Sequence, residues 1–569
     1  MKKTVIYILS VIFLHAACNQ QPSQDPVDWN PYDYTIEKKQ IVKNGAVVSA
    51  HPLASIAGVH VLKNGGNAVD AAIATQFALA VVYPSAGNLG GGGFIVARMS
   101  DGKNFAIDYR EKAPGAAHRD MYLDSAGNAI DDLSKFGHLA AGVPGTVAGL
   151  FASAKHGKLS MDKLLAPAIE LAEKGFAITE SEARSLNNLR ERLLKYNTMP
   201  TALVKEGEWK AGDTLVQTDL ANTLKRISKE GMKGFYEGET ARLIVEEMKR
   251  GNGIISEEDL KAYDAREREP VVFDYKGHEV ITMSLPSSGG ILLPQMLRMT
   301  EPYNISEKGF HSAEAVQVMI EAERRAYADR AEFMGDPDFV KVPVATLISK
   351  EYAQKRMQDF TPGKAGKSDN IKAGVIESEE TTHLSVYDAE GNAVSVTTTL
   401  NGGYGSLTVV GGAGFLLNNE MDDFSVKPGV PNMYGALGAE ANAIVPGKRM
   451  LSSMSPTIVV KEGKPWIIVG TPGGTTIPTS VFQSLVNIID FGLSAEDAVN
   501  KPKFHHQWYP DNVSVERDFP EDVVKQLETM GYSIRKRGAI GRTELILIHE
   551  DGSIEAVADK RGDDHAAGY

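Results

Sequence analysis

The chain has 569 residues, of which 43% are hydrophobic and 23% are charged, and its formal net charge is -13. This composition is typical of a globular protein with a large buried core, and it excludes an intrinsically disordered chain. The acidic balance argues against a nucleic-acid partner, because such a partner requires a basic surface.

The N-terminus has the pattern of an export signal. Two lysines precede an apolar run, residues 5–14, that is too short to cross a bilayer comfortably. Small residues then lead to Cys18, the only cysteine of the chain, so the chain forms no intrachain disulfide. We predict a signal peptide over residues 1–17, lipidation of Cys18 as in a bacterial lipoprotein, and a polar tether over residues 18–40. An ordinary secretory signal with an incidental cysteine is the alternative.

The first half of the folded part alternates helical and strand patterns. An alanine-rich segment, residues 67–82, predicts a buried helix. Residues 94–98 and 104–108 flank an Asp-Gly pair, which predicts a β-hairpin. The middle of the chain, from about residue 145 to 350, is mainly helical in pattern, and residues 313–333 form its clearest helix.

A polar linker separates this helical middle from a strand-rich end. Residues 361–380 are rich in Pro, Gly, Ser, Lys and Glu, and they cannot bury much apolar surface. Beyond the linker, alternating segments around glycine-containing turns predict three hairpins, within residues 384–396, 456–469 and 544–557. With the earlier hairpin they predict two antiparallel sheets covered by helices, which is a four-layer α/β/β/α sandwich.

Thr381 stands at the junction between the linker and the first strand after it. Cleavage of the bond from Glu380 would free the α-amino group of Thr381. An α-amine has a pKa of about 8, so it can act as the base for the hydroxyl of the same residue. This is the arrangement of an N-terminal nucleophile hydrolase. Threonine also begins many strands for structural reasons, so the rest of the chain decides between the two interpretations.

A proline and two glycines follow the apolar strand of the second predicted hairpin after the linker. Gly473 and Gly474 allow two consecutive backbone N–H groups to face one point, as an oxyanion hole requires. A plain turn has the same sequence pattern. An earlier glycine run, residues 90–93, lies after a helix and before a strand, which is the wrong order for a phosphate loop. We interpret that run as a tight turn beneath an active site.

Three further segments carry groups that suit the two ends of an α-amino acid. Arg110 ends the first hairpin, and its fork can bind both oxygens of a carboxylate. Residues 418–424 gather amides and carboxylates, and residues 451–456 carry hydroxyls. An exposed arginine and solvated loops are the alternative interpretations. The adjacent His505 and His506 point to opposite faces of an extended backbone, so we predict structural histidines and no metal site.

Taken together, these segments closely resemble bacterial γ-glutamyltransferase, also called γ-glutamyltranspeptidase, of the N-terminal nucleophile hydrolase superfamily. The likeness extends from about residue 40 to Tyr569. It is densest in residues 381–383, 418–425, 452–457 and 472–474. The resemblance implies that the precursor cuts itself between Glu380 and Thr381 into a large subunit, residues 41–380, and a small subunit, residues 381–569, which stay associated.

The resemblance also implies the catalytic groups. Thr381 matches the family's nucleophile, and Thr399 matches the threonine that orients it. Gly473 and Gly474 match the glycines of the oxyanion hole. No metal and no organic cofactor are implied.

The implied binding residues surround the α-amino acid end of the donor. Arg110 matches the arginine that binds the donor's α-carboxylate, with help from Ser452 and Ser453. Three residues match those that bind the donor's α-amino group, namely Asn401, Glu420 and Asp423. Tyr434 resembles the aromatic residue of a lid loop in some bacterial members. Asn401 is followed by two glycines where relatives often have bulkier polar residues, which affects the acceptor side.

The expected reaction is transfer of the γ-glutamyl group of glutathione, or of another γ-glutamyl compound, to water or to an amino acid or peptide amine. It would pass through an ester on Thr381. A related acylase and a poly-γ-glutamate depolymerase are alternatives with the same fold, and a non-enzymatic peptide-binding lipoprotein is a third. The expected location is outside the cytoplasm, as a periplasmic or outer-membrane-anchored lipoprotein.

Overall fold

The computed structural model describes residues 29–130, 132–371, 381–426 and 439–569. Three of the predicted functional residues lie outside these ranges, namely Cys18, Glu380 and Tyr434. The other predicted site residues are all described.

Most strands belong to two sheets, and short strands make up two small ones. In chain order the strands are β1 (Lys39–Val42), β2 (Ala46–Ser49), β3 (Gly92–Arg98), β4 (Asn104–Asp108), β5 (Phe176–Ala177), β6 (Thr214–Leu215), β7 (Arg266–Arg268), β8 (Val271–Tyr275), β9 (His278–Thr282), β10 (Thr382–Tyr387), β11 (Ala393–Thr399), β12 (Thr457–Lys461), β13 (Lys464–Gly470), β14 (Phe504–His505), β15 (Val513–Glu516), β16 (Ile534–Arg537), β17 (Glu544–Ile548), β18 (Ile554–Val557) and β19 (His565–Gly568).

Helices fill most of the chain between the strands. In chain order they are α1 (Pro52–Lys63), α2 (Ala68–Val82), α3 (Thr146–Ala154), α4 (Met161–Lys174), α5 (Glu180–Tyr196), α6 (Thr218–Glu230), α7 (Lys233–Tyr236), α8 (Gly238–Gly251), α9 (Glu257–Lys261), α10 (Gly289–Thr300), α11 (Ile305–Lys308), α12 (Ala313–Phe333), α13 (Val344–Leu347), α14 (Lys350–Arg356), α15 (Thr476–Ile489), α16 (Ala495–Asn500) and α17 (Glu521–Met530).

The two large sheets are antiparallel and have seven strands each. Sheet A has the order β1-β18-β17-β13-β12-β9-β8, and sheet B has the order β19-β2-β10-β11-β3-β4-β7. Both sheets contain strands from before and from after residue 381. The two halves of the chain are therefore joined by strand pairing in sheet A as well as in sheet B.

The layers follow from the alternation of side chains along the strands. Phe94 and Val96 of sheet B meet Ile458, Ile468 and other residues of sheet A in the core between the sheets. The opposite faces pack on helices. The face of sheet B that carries Leu384 packs with the helices of the first half, and the other face of sheet A packs with α10, α12 and α15. This confirms the predicted α/β/β/α sandwich.

The predicted local elements are confirmed, and one hairpin was missed. The alanine-rich helix, the helix at residues 313–333 and all four predicted hairpins are present. Residues 145–350 were predicted to be mainly helical, but β7, β8 and β9 lie within that range. These strands close the edges of both sheets, β7 beside β4 and β8 with β9 beside β12.

The end of the expected N-terminal tether is tied to the body of the protein. The ammonium of Lys38 donates to the backbone carbonyls of Asp559, Gly562 and Asp564 at 2.9, 2.7 and 2.6 Å. β1 begins at Lys39 and pairs with β18, so the folded body starts before residue 41. The part of the predicted tether before residue 29 lies outside the described residues.

Candidate active site

Thr381 is placed by the hairpin of β10 and β11. The register pairs Thr382 with Thr398, so the residue before β10 lies beside Thr399, the last residue of β11. Thr381 Oγ1 donates a hydrogen bond to Thr399 Oγ1 over 3.5 Å. Both side chains are almost completely buried. The predicted nucleophile and the predicted orienting residue are therefore in contact.

The residues after Thr399 hold its hydroxyl in place. The backbone N–H of Asn401 donates to Thr399 Oγ1 over 2.8 Å. Asn401 has a φ of 74°, in the left-handed region that asparagine tolerates better than most residues. This turn is what brings the N–H back towards the end of β11. The Thr399 hydroxyl oxygen accepts hydrogen bonds from the Thr381 hydroxyl and from the Asn401 N–H. These two bonds fix the orientation of the Thr399 side chain.

The glycine run at residues 90–93 lies directly beneath this pair. A Cβ on Gly91 would come within 2.1 Å of the Thr399 carbonyl oxygen, and a Cβ on Gly93 within 2.4 Å of the Thr397 carbonyl oxygen. The run therefore needs glycine because the backbone of β11 passes over it closely. The run lies beneath the site as expected, but the prediction of a tight turn is wrong, because Gly92 and Gly93 belong to β3 and Gly90 forms a β-bridge with Leu417.

The loop with Gly473 and Gly474 leaves sheet A at the same end as Thr381. Gly470, the last residue of β13, packs on the ring of His383, two residues after Thr381. A Cβ on Gly470 would lie 2.2 Å from that ring. Since the loop starts immediately after Gly470, its two glycines lie at the edge of the sandwich where β10 begins.

The backbone of this loop adopts angles that residues other than glycine rarely adopt. Gly473 has a φ of 134° and Gly474 a φ of 54°, both in the region that favours glycine. Their carbonyls turn back into the first turn of α15, where Thr476 N–H donates to Gly473 O over 2.9 Å and Ile477 N–H to Gly474 O over 3.1 Å. In the trans peptide group that joins the two glycines, the Gly474 N–H points opposite to the Gly473 carbonyl.

Arg110 is the centre of a buried charged cluster. Its guanidinium lies 2.6 Å from Glu420 Oε2, and it also forms an ion pair and hydrogen bond with Asp423. The guanidinium donates to the carbonyls of Met450 and Leu451 over 3.3 and 3.2 Å. The exposed-arginine alternative is therefore wrong, because the Arg110 side chain is 1% exposed.

Glu111 is a third carboxylate in this cluster, and it was not among the site residues predicted from the sequence. Its Oε2 lies 3.6 Å from the guanidinium, and its side chain is completely buried. Burial raises the pKa of Glu111 above the usual carboxyl range, although Arg110 opposes the shift. Burial raises the pKa of Glu420 in the same way. Burial works against the charge of Arg110, but the surrounding carboxylates outweigh it and raise its pKa.

The charged cluster is joined to the nucleophile by Asn419. The side chain of Asn401 donates to Asn419 O over 3.1 Å, and Gly402 N–H donates to Asn419 Oδ1 over 2.8 Å. Glu420 is the next residue. The segment that positions Thr399 is thus bonded to the segment that carries two of the carboxylates.

The two serines predicted for donor binding lie beside the same cluster. Ser452 follows Leu451, whose carbonyl binds Arg110, and its hydroxyl accepts from Met454 N–H over 3.2 Å. The Ser453 hydroxyl accepts from Arg330 over 3.1 Å. Arg330 belongs to α12, so this long buried helix supports the serine segment from behind.

His505 and His383 are buried among hydrogen-bond partners. His505 bonds to Thr479 over 2.8 Å, and His383 to Thr397 over 2.9 Å. Burial lowers the pKa of both rings, to about 4 for His505 and to about 3 for His383. In the described ranges there is no group of three or more His, Cys, Asp or Glu residues arranged to hold a metal.

The structure brings most of the predicted site residues to one place. These are Thr381, Thr399, Asn401, Arg110, Glu420, Asp423, Ser452 and Ser453, with Gly473 and Gly474 at the same end of the sandwich. A hydroxyl, backbone donors and a cluster of opposite charges can together bind a zwitterion and transfer an acyl group. Neither Tyr434 nor Glu380 is described, so their roles remain predictions.

Glu111→Gln is expected to weaken the pH dependence of stability. A carboxyl group whose pKa is raised by folding binds its proton more tightly in the folded state. Its contribution to stability is present below about pH 4.3, the ordinary carboxyl pKa, and it is lost as pH rises towards the raised value. The melting temperature of the variant should therefore fall less than that of the wild type as pH rises from about 5 to about 8.

Differential scanning calorimetry across this pH range makes the comparison. Glu180→Gln is the matched control, because Glu180 is an exposed helix residue paired with Arg184. The same pH slope in Glu111→Gln, Glu180→Gln and the wild type would contradict the assignment of a raised pKa to Glu111.

Comparison with known proteins agrees with the fold. The sequence model of the gamma-glutamyltranspeptidase family matches residues 54–569. The chain is 48% identical over 550 residues to a protein of Escherichia coli (strain K12) named glutathione hydrolase proenzyme, covering 95% of both chains.

Two solved structures are similar in different ways. The cephalosporin acylase from Bacillus halodurans has a TM-score of 0.83 at 28% sequence identity, covering 96% of this chain and 99% of its own. The Helicobacter pylori gamma-glutamyltranspeptidase has a TM-score of 0.57 at 48% identity, covering 59% of this chain and 97% of its own. With the family match over most of its length, the chain belongs to the gamma-glutamyltranspeptidase family.

Proposed function

We propose that this protein is a self-processing γ-glutamyltransferase. It would transfer the γ-glutamyl group of glutathione, or of another γ-glutamyl compound, to water or to an amino acid or peptide amine. The observation that carries the proposal is the contact of Thr381 with Thr399, bonded through Asn401 and Asn419 to the buried cluster of Arg110. Family membership and the similarity to the Escherichia coli glutathione hydrolase proenzyme support it.

Activation is proposed to be a cut between Glu380 and Thr381. Thr381 Oγ attacks the carbonyl carbon of Glu380, the peptide bond breaks as its nitrogen takes a proton, and water hydrolyses the resulting ester. The two products are the predicted large and small subunits. Both sheets contain strands from both sides of residue 381, so the subunits stay associated unless both sheets are broken.

The new N-terminus then supplies nucleophile and base in one residue. The α-amine of Thr381 takes the hydroxyl proton as Oγ attacks the γ-amide carbonyl of the donor. Thr399 orients the hydroxyl, and the N–H groups of Gly473 and Gly474 stabilise the oxyanion. The amine returns the proton to the leaving nitrogen, and a γ-glutamyl ester of Thr381 remains. Water or an acceptor amine attacks that ester, which restores the hydroxyl.

The charged cluster is proposed to recognise the α-amino acid end of the donor. Glu420 and Asp423 pair with Arg110. A zwitterion can enter this arrangement with little change in net charge, since its carboxylate binds Arg110 and its ammonium binds the two carboxylates. Ser452, Ser453 and Asn401 would complete the pocket. The proposed steps use only groups of the chain.

Tyr434 is proposed as an aromatic lid residue over this pocket, from the family resemblance alone. It lies outside the described residues. The related acylase remains the second candidate function, because the cephalosporin acylase from Bacillus halodurans has the same fold across this chain. A poly-γ-glutamate depolymerase is a further candidate of the same class.

The ion pairs of Arg110 favour a donor that carries both an α-carboxylate and an α-ammonium group. Glutaryl side chains lack the ammonium, so they bring no positive group to Glu420 and Asp423. Comparing the turnover of γ-glutamyl-p-nitroanilide with that of glutaryl-p-nitroanilide separates the two functions. Preference for the glutaryl compound would favour the acylase. A non-enzymatic peptide-binding lipoprotein would hydrolyse neither compound.

Thr381→Ala should remain one uncut chain and should have no transferase activity, because both the cut and the turnover use the Thr381 hydroxyl. Thr381→Ser should be cut and should keep part of the activity. A denaturing gel and hydrolysis of γ-glutamyl-p-nitroanilide are the measurements. Cleavage or turnover in the Ala variant would exclude Thr381 as the nucleophile.

Arg110→Lys should raise the KM for γ-glutamyl donors by about a hundredfold, because lysine keeps the charge but loses the planar fork. We expect the self-cleavage to persist, since Arg110 binds the donor and not the Glu380–Thr381 bond. Arg119→Lys is the control, since Arg119 pairs with Glu440 at a more exposed place. An unchanged KM in Arg110→Lys would remove Arg110 from the donor pocket.

Export with a lipid anchor on Cys18 is proposed from the N-terminal pattern. In the described ranges no helix is long and apolar enough to span a bilayer. Mass spectrometry of the mature large subunit tests the anchor. An acylated Cys18 as the first residue is expected, and Cys18→Ala should release the protein from the membrane fraction. A mature chain that begins elsewhere without lipid would support the ordinary secretory signal.

A further inference from the structure

We propose that Thr471 and Thr476 are positioning residues that aim the two oxyanion-hole N–H groups. This inference rests on the proposed function, in which Gly473 and Gly474 stabilise the oxyanion. Each threonine hydroxyl binds the carbonyl oxygen of a peptide group whose N–H belongs to one of these glycines.

The first peptide group joins Pro472 to Gly473. The Thr471 hydroxyl donates to the Pro472 carbonyl oxygen over 2.8 Å. Thr471 Oγ1 in turn accepts from the backbone N–H of Arg542 over 2.7 Å. The hydroxyl hydrogen of Thr471 is therefore directed to Pro472, while its oxygen is anchored on a neighbouring loop.

The second peptide group joins Gly473 to Gly474. The Thr476 hydroxyl donates to the Gly473 carbonyl oxygen over 2.7 Å, and the Thr476 backbone N–H donates to the same oxygen over 2.9 Å. One residue thus holds this carbonyl with two hydrogen bonds. The side chains of Thr471 and Thr476 are both buried, so water does not compete for these bonds.

Peptide planarity converts these carbonyl contacts into N–H directions. In a trans peptide the N–H points opposite to the C=O, and neither of these peptides is among the cis bonds of the described chain. When the Pro472 carbonyl is held by Thr471, the Gly473 N–H must point the other way. When the Gly473 carbonyl is held by Thr476, the Gly474 N–H must do the same.

The backbone around the glycines makes this control necessary. Gly473 and Gly474 have φ angles of 134° and 54°, and glycine rotates about these bonds more freely than other residues. A Cβ on Gly473 would lie 2.3 Å from Thr476 Oγ1, so the hydroxyl lies directly against the glycine. The loop has the freedom to form two converging donors, and the threonines restrict that freedom to one orientation.

The neighbouring residue is fixed in a similar way. Thr475 Oγ1 donates to Gln507 Oε1 over 2.8 Å, and Tyr327 OH donates to the Thr475 carbonyl. The turn from Gly474 into α15 is therefore held from the C-terminal side as well. This leaves the Pro472–Gly473 and Gly473–Gly474 peptide groups as the part of the loop that the hydroxyls of Thr471 and Thr476 control.

Isosteric removal of each hydroxyl tests the proposal. Thr476→Val and Thr471→Val keep the branched shape and lose the hydrogen bond. In the self-cleaved enzyme each should lower the acylation rate with saturating γ-glutamyl-p-nitroanilide by about tenfold, because poorly aimed donors stabilise the transition state less. The donor KM should stay within about twofold, since the carbonyls do not contact the ground-state donor. Thr476→Ser and Thr471→Ser should restore the rate.

Ser484→Ala is the matched control. Ser484 is buried on α15, the helix that begins at Thr476, and its hydroxyl donates to the Ser480 carbonyl over 2.8 Å. It should keep the wild-type acylation rate. If either Val variant fails to fold, the other Val variant and both Ser variants still decide the matter.

Three results would overturn the proposal: Val variants with the wild-type acylation rate, Ser variants as slow as the Val variants, or an equal loss in Ser484→Ala. Hydrolysis of the donor by the wild type reports on the proposed function separately. A wild-type enzyme that is cut but does not act on γ-glutamyl compounds would refute that function, not the arrangement of the loop.

Discussion

The pairing of β10 with β11 is the constraint on which the rest of the site depends. Its register sets Thr381 beside Thr399 at one end of the sandwich, and the turn after Thr399 brings in the N–H of Asn401. Gly470, at the end of β13 in sheet A, packs on His383 of β10. The loop with Gly473 and Gly474 therefore leaves sheet A at the end of the sandwich where Thr381 lies. A shift of β10 by one residue would turn His383 towards the helices and carry Thr381 away from every proposed partner.

The donor pocket depends on a second constraint, which is electrostatic. Arg110, Glu111, Glu420 and Asp423 are buried together, and carboxylates are costly to bury unless they are paired. One guanidinium contacts all three acidic side chains, and burial raises the pKa of Glu111 and Glu420, so a ligand with a further positive group would stabilise their charged forms. The ammonium of an α-amino acid meets this requirement, and its carboxylate can take the fork of Arg110. The charges of this cluster and the chemistry of a γ-glutamyl donor therefore agree.

The sequence was sufficient for elements whose signals are local. The four hairpins have alternating strands around glycine turns, and α12 has a continuous helical pattern, so each was predicted close to its observed bounds. The short strands β7, β8 and β9 were missed because they lie inside a long helical region and owe their structure to pairing with distant strands. The end of the tether joins the body for the same reason, since Lys38 binds carbonyls more than 500 residues away.

The candidate site was predicted from motifs, while its electrostatics were not. Arg110 and Asp423 lie 313 residues apart, so their contact has no local signal. Glu111 is adjacent to Arg110 in the chain, but its burial depends on the packing of glycines from other segments around it, including Gly92 and Gly142. The roles of Thr471 and Thr476 depend on which peptide carbonyls their hydroxyls reach. The directions of these two hydroxyls depend on the conformation of the folded loop, so the sequence alone did not predict them.

The most direct test of the central claim is to trap the acyl-enzyme. The self-cleaved protein would be mixed with a γ-glutamyl donor, quenched in acid within the burst phase, and digested for mass spectrometry. We predict that the peptide beginning with Thr381 gains the mass of one γ-glutamyl group, attached through the Thr381 hydroxyl. A γ-glutamyl group on any other residue, or a small subunit that begins at another residue, would contradict the account.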